Sequence, residues 1–120
     1  MVKPKKILII DDEEDYCLLM GNFFERNNCE VHIAHTLSDG IKILANLQPD
    51  IIFLDNNLPD GLGWLHAKQI ARQFPSVHVH LISAYENADF ELPAKDQFNI
   101  WEKPISFAKL EAVLQDGKFS

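Results

Sequence analysis

The chain has 120 residues, 47% of them hydrophobic and 24% charged, with a formal net charge of −7. That length fits one domain. The acidic balance, with a pI of about 5.1, argues against direct nucleic-acid binding, and no apolar run approaches the ~20 residues of a membrane span. The basic start, residues 1–6, is followed by only a four-residue apolar run, residues 7–10, too short for a signal peptide. Cys17 and Cys29 are the only cysteines and lack metal-type spacing. They are expected to be free thiols of a cytoplasmic protein.

Residues 7–10 read as a first strand, closed by Asp11 and Asp12. A helix is predicted over 14–27, with Tyr16, Leu19, Phe23 and Phe24 as its apolar stripe and Asn27-Asn28 ending it. Glu30–Ala34 alternates polar and apolar residues, as an edge strand does. Thr36-Leu37-Ser38-Asp39 resembles a capping box for a second helix, with stripe Ile41, Leu44 and Leu47 and a stop at Pro49. Residues 51–54 are apolar on both parities and predict a central strand, which Asp55 ends. A loop through Gly61 and Gly63 leads to a third helix over 64–74, with Leu65 and Ile70 facing in and Pro75 after it.

Residues 77–83 form the fourth strand. Helix formers recur over 86–95, but Pro93 predicts a short or distorted helix there. Phe98–Glu102 is the fifth strand, followed by Lys103. Ser106 caps a last helix carrying Phe107, Leu110, Val113 and Leu114, and residues 115–120 read as a tail or the start of a linker. His78 and His80 share one face of the fourth strand without a third ligand, so a structural role is expected, as it is for Trp64 and Trp101.

Strands alternating with helices predict an α/β domain with a parallel sheet covered on both faces. Such sheets bind ligands beyond the carboxyl ends of their strands. Asp11, Asp12, Asp55, Ser83 and Lys103 all lie at those ends. Converging carboxylates repel one another unless a cation joins them, and oxygen ligands suit Mg²⁺. Asp12 and Asp55 are the expected direct ligands, with Asp11 acting directly or through water. Asp55 is then placed to attack phosphorus as a carboxylate nucleophile. The metal, Lys103, the Ser83 hydroxyl and the Ala84 N–H would neutralise the transferred oxygens.

Ile9-Ile10-Asp11-Asp12-Glu13, Asp50-Ile51-Ile52-Phe53-Leu54-Asp55, Leu58-Pro59-Asp60-Gly61, Ser83-Ala84 and Lys103-Pro104 occur in this order. In that order and spacing the chain resembles the receiver domain of bacterial two-component response regulators, the type of the chemotaxis response regulator. The resemblance runs from about residue 5 to 114. It implies a flavodoxin-like, doubly wound (βα)5 fold with strand order 2-1-3-4-5, and one receiver domain over 1–120.

It further implies that Asp55 accepts a phosphoryl group from a sensor histidine kinase or phosphotransfer protein. Mg²⁺ would be held by Asp11, Asp12, Asp55 and the Asn57 carbonyl. Asn56 and Ala84 would join the phosphate contacts, and Ser83 would be the switch hydroxyl. The Lys103–Pro104 bond would be cis, which proline makes accessible.

The family often carries Tyr or Phe three residues before the lysine. Ile100 stands there, with Trp101 beside it, which touches the switch. Tyr85, two residues after Ser83, is expected to screen the acyl phosphate from hydrolytic water. An unknown output domain or partner is implied, with homodimerisation on activation as one outcome. The alternatives are a degenerate receiver acting only through protein contacts, and a Mg²⁺-dependent phosphohydrolase with an Asp nucleophile. The latter type wants a second Asp where Asn57 stands.

Overall fold

The computed structural model describes residues 3–84 and 98–115. The fourth helix expected over 86–95 with its Pro93, the screening role of Tyr85, and the tail over 116–120 lie outside the described residues.

Five parallel strands form the main sheet: β1 (Lys6–Ile10), β2 (Glu30–Ala34), β3 (Ile51–Asp55), β6 (His78–Ser83) and β7 (Phe98–Glu102), in the order β2-β1-β3-β6-β7. This is the expected 2-1-3-4-5 winding. A separate antiparallel pair, β4 (Asn57–Leu58) and β5 (Gly61–Leu62), lies in the loop after β3. The described helices are α1 (Glu14–Arg26), α2 (Leu37–Leu47), α3 (Ala67–Gln73) and α4 (Phe107–Gln115).

The chain winds outward from β1 to β2, then returns past β1 to β3. The carboxyl ends of β1 and β3 therefore flank the point where the winding reverses, which is where such sheets open a crevice. β3 and β6 are buried along their whole length, whereas β2 and β7 are the partly exposed edges. The uninterrupted apolar run of β3 is what a strand covered on both faces requires.

The period-2 alternation of the strands divides the core in two. Leu8, Ile10, Ile52, Leu54, Val79 and Leu81 pack with Leu37, Leu44, Trp64, Ala67 and Ile70 of the α2 and α3 layer. Ile7, Ile9, Ile51, Phe53 and Ile82 pack with Cys17, Met20, Phe24, Leu110 and Val113 of the α1 and α4 layer. His80 is fully buried, stacked on Phe53, and its Nδ1 accepts the Trp101 indole N–H at 2.7 Å. His78 is buried too, with its Nε2 beside Asn99 Oδ1, so both strand histidines and Trp101 make interior contacts.

The helical stripes depart from the expected ones in three places. In α1, Phe23 and Phe24 are buried and Tyr16 packs against the core as expected, but Leu19 is 51% exposed and Cys17, Met20 and Gly21 turn inward instead. In α2 the inward line is Leu37, Gly40 and Leu44, leaving Ile41 exposed. Gly40 lies so close to β1 that an added Cβ would meet Ile10 Cδ1 at 2.5 Å, so a glycine is needed on this face, and Ile43 and Leu47 pack beside it. The third helix opens as a 3₁₀ turn, Gly63–His66, before α3. Three residues per turn put Trp64 above Ala67 and Ile70 on the core side, and Leu65 points outward at 72% exposure.

Capping follows the sequence, with one addition. Thr36 Oγ1 accepts from the Asp39 N–H, and Ser106 Oγ accepts from the Lys109 N–H. Asp60, from the loop after β3, accepts from the Leu37 and Ser38 N–H groups at 2.8 and 2.9 Å. These bonds hold its carboxyl below the usual carboxylate range. Asp60→Ala is expected to lower the melting temperature and to speed hydrogen exchange at the Leu37 and Ser38 amides. Because the folded pKa is depressed, the cap's contribution is present above the unfolded carboxylate pKa and fades as pH falls through the folded one. Unchanged exchange at both amides would refute the bridge.

Candidate functional site

Asp11 leaves β1 with its N–H donating to Ala34 O at 3.0 Å, and it is fully buried. Its Oδ1 accepts the Glu13 N–H at 2.9 Å. Its carbonyl lies 2.9 Å from His35 Nδ1, which must carry the proton for that contact, and accepts from the Cys17 thiol at 3.2 Å. Asp12 is exposed, and Asp55, the last residue of β3, is 2% exposed. Oxygens of Asp11, Asp12 and Asp55 lie within 4.8 Å of one another.

Lys103 enters from the other side. Its N–H donates to Ser83 O at 2.9 Å, stitching the chain after β7 to the end of β6, and the Lys103–Pro104 bond is cis, as expected. Its ammonium stands 2.7 Å from Asp11 Oδ2, 2.6 Å from Glu13 Oε1 and 3.5 Å from Asp55 Oδ1. The Tyr16 ring lies 5.0 Å below it, and the Tyr16 hydroxyl accepts from the Ile105 N–H at 3.3 Å. The sequence placed Tyr16 only in a core stripe, whereas it also braces the lysine loop.

The protonation pattern follows from burial. Burial raises the Asp55 carboxyl, and the neighbouring Asp11 raises it further while Lys103 pulls the other way, leaving it at about 6. Burial also raises Asp11, partly offset by Lys103 and the Glu13 N–H. For Lys103 burial acts downward, but contacts with Asp11 and Glu13 more than offset it and the net shift is upward. Lys103 is therefore a permanent cation facing an excess of carboxylate. Hard oxygen donors with uncompensated negative charge are a donor set that suits Mg²⁺.

The remaining expected residues divide. Ser83, 4% exposed, ends β6 beside β3, and Ala84 follows in an exposed bend. Asn56 is engaged by its neighbours: its N–H donates to Ile82 O, its O accepts from the Gly63 N–H, and its Oδ1 accepts from the Trp64 N–H. Asn57 is exposed at the start of β4. Ile100 is 44% exposed on β7, on the opposite face from Trp101.

Gly63 was legible only as a loop glycine. A Cβ there would fall 2.1 Å from the Asp55 carbonyl oxygen. Trp64 caps the same strand end, its indole N–H donating to Leu54 O at 3.2 Å.

The strand winding is that of a flavodoxin-like receiver fold. The chain belongs to the response regulator receiver domain family, whose model matches residues 7–115. It is a signalling domain of two-component response regulators.

Among curated proteins it is similar to the KDP operon transcriptional regulatory protein KdpE of Escherichia coli. Identity there is 31% over 111 residues, covering 91% of this chain and 49% of that protein. A transcriptional regulatory protein of Bacillus subtilis, YvcP, is 27% identical over 119 residues, with 92% and 48% covered. The chain thus spans about half the length of these relatives.

Among solved structures, a CheY-like receiver domain from Methylobacillus flagellatus matches with a TM-score of 0.79 and 27% identity, covering 93% of this chain and 97% of that one. One from Methanospirillum hungatei matches with a TM-score of 0.87 and 23% identity, covering 96% and 94%. A Burkholderia pseudomallei response regulator with a phosphorylated aspartic acid and a calcium ion shares the fold, with a TM-score of 0.81, 20% identity, and 95% and 68% covered. No helix among the described residues is long and apolar enough to cross a membrane.

Proposed function

We propose that Asp55 is the phospho-acceptor of this receiver, taking its phosphoryl group from a phosphohistidine on a sensor kinase or phosphotransfer protein in the cytoplasm. The observation that carries this reading is the meeting of buried Asp55, buried Asp11, exposed Asp12 and the Lys103 ammonium beyond the carboxyl ends of β1, β3 and β7. The phosphorylated aspartic acid of the Burkholderia relative supports it.

At neutral pH a carboxyl titrating at about 6 is mostly ionised and can act as a nucleophile. One Asp55 oxygen forms the bond to phosphorus as the phosphorus–nitrogen bond to the donor imidazole breaks, and that bond's electron pair returns to the ring. Lys103 balances one phosphoryl oxygen, and the Ser83 hydroxyl and Ala84 N–H bind another. The Asn56 side-chain Nδ2 is the group that residue would offer to phosphate, since its backbone N–H, its carbonyl and its Oδ1 are engaged. Asp11, Asp12, Asp55 and the Asn57 carbonyl would hold Mg²⁺, which supplies electrostatic neutralisation of the transferred oxygens. Ser83, with Ile100 at the family's aromatic position, then reports occupancy to an output domain, a partner or a second copy.

The test is incubation with Mg²⁺ and acetyl phosphate, followed by intact-mass measurement. One phosphoryl group is expected on the parent and none on Asp55→Asn. A parent that takes up no phosphoryl group and no beryllofluoride is a degenerate, contact-only module. Repeated turnover of a phosphate ester identifies a hydrolase.

A further inference from the structure

Lys103 is held by a carboxylate outside the acids assigned to metal and phosphate. Its ammonium donates to Glu13 Oε1 at 2.6 Å, whereas Asp55 Oδ1 stands at 3.5 Å. The base of Glu13 is fixed from two sides: its N–H donates to Asp11 Oδ1 at 2.9 Å and its carbonyl accepts from the Cys17 N–H at 3.0 Å. From there the side chain reaches across to the Lys103 loop. The Glu13 side chain is 59% exposed, whereas those of Lys103 and Asp11 are 8% and 0% exposed.

These exposures decide which partner the lysine can leave. Releasing Asp11 strands a buried carboxylate, which is costly unless another cation takes over. Releasing Glu13 returns a carboxylate that is already 59% exposed to water, at little desolvation cost. Of the three carboxylates around the ammonium, Glu13 is therefore the one that can yield at least cost to an anion on Asp55.

We propose that Glu13 is a positioning residue that holds Lys103 closer to itself than to Asp55 in the unphosphorylated domain, so that an arriving phosphoryl group must compete with it for the ammonium. This rests on the reading of Asp55 as phospho-acceptor. Glu13 then tunes how readily the site captures phosphate, acting through Lys103 and touching neither phosphorus nor metal.

Two variants separate contact from charge. Glu13→Gln removes the carboxylate, and Glu13→Asp keeps the charge on an arm one methylene shorter. Beryllofluoride, which mimics a phosphoryl group on a carboxylate, is titrated into each protein at saturating Mg²⁺. Both variants are expected to bind it about two- to five-fold more tightly than the parent, the range of an exposed ion pair. Tighter binding by Glu13→Gln alone, with Glu13→Asp like the parent, shows bulk charge at work and overturns the proposal. So does unchanged or weaker binding by both variants. A parent that binds no beryllofluoride defeats the phospho-acceptor reading itself. A parent that binds it normally, with both variants unaltered, defeats the positioning role alone.

Discussion

Replacing Gly63 with alanine is expected to lower the melting temperature on the order of 10 °C and to abolish stable phosphorylation at Asp55. An alanine Cβ would sit 2.1 Å from the Asp55 carbonyl oxygen and 3.0 Å from Leu54 Cδ1. The first contact is with backbone, so no rotamer change relieves it. Gly63 cannot retreat without breaking its N–H bond to Asn56 O at 2.9 Å. Overpacking of this kind costs about 1–3 kcal/mol where side chains can adjust, and here they cannot, which places the cost at or above the top of that range. The opposing gain from a stiffer unfolded chain is only ~0.4–1 kcal/mol. Thermal melting together with acetyl phosphate labelling checks both halves, and an unshifted melt would falsify the close approach.

Asp55→Asn is expected to act in the opposite direction on stability. The Asp55 carboxyl has a folded pKa of about 6 against the ordinary aspartate value of 3.8. A raised carboxyl pKa favours the fold when protonated, so stability falls as pH rises from roughly 4 to 6 and stays low above that. At 1.36 kcal/mol per unit the penalty at neutral pH is about 2–3 kcal/mol. Asparagine does not titrate, so the variant should melt higher than the parent at pH 8 without Mg²⁺. That gap should close towards pH 4. Millimolar Mg²⁺ should raise the parent's melting temperature more than the variant's, because a ligand stabilises the state that binds it. A gap that is constant from pH 4 to 8 would show that the carboxylate carries no such strain.

The sheet was legible because β1 and β3 are short, strongly apolar runs and the edge strand β2 alternates. Strand ends put Asp11, Asp55, Ser83 and Lys103 on one rim with no further assumption. Helix rotation was harder, because apolar residues sit side by side at Leu18-Leu19-Met20 and Trp64-Leu65. Periodicity locates a stripe there to about one residue, and the choice falls to the packing partner. In α2 the close approach of Gly40 to Ile10 marks the inward face. Glu13, His35 and Asp60 were missed for a different reason. Glu13 meets Lys103 across 90 positions, and Asp60 meets Leu37 across 23. No local pattern encodes a partner that another element supplies.

The bridge from Asp60 to the start of α2 has a mechanical consequence. The segment after Asp55 is clamped at Asn56 to Ile82, at Asp60 to Leu37 and Ser38, and at Gly63 back to Asn56. It is a stiff wall with little room to yield. The opposite wall is β7, which among the described residues is an edge strand paired with β6 only, with Lys103 following its end. A charge arriving between two walls of unequal compliance displaces the softer one. On the reading of Asp55 as phospho-acceptor, movement is therefore expected at Ser83, Ile100 and Lys103 rather than in the clamped loop.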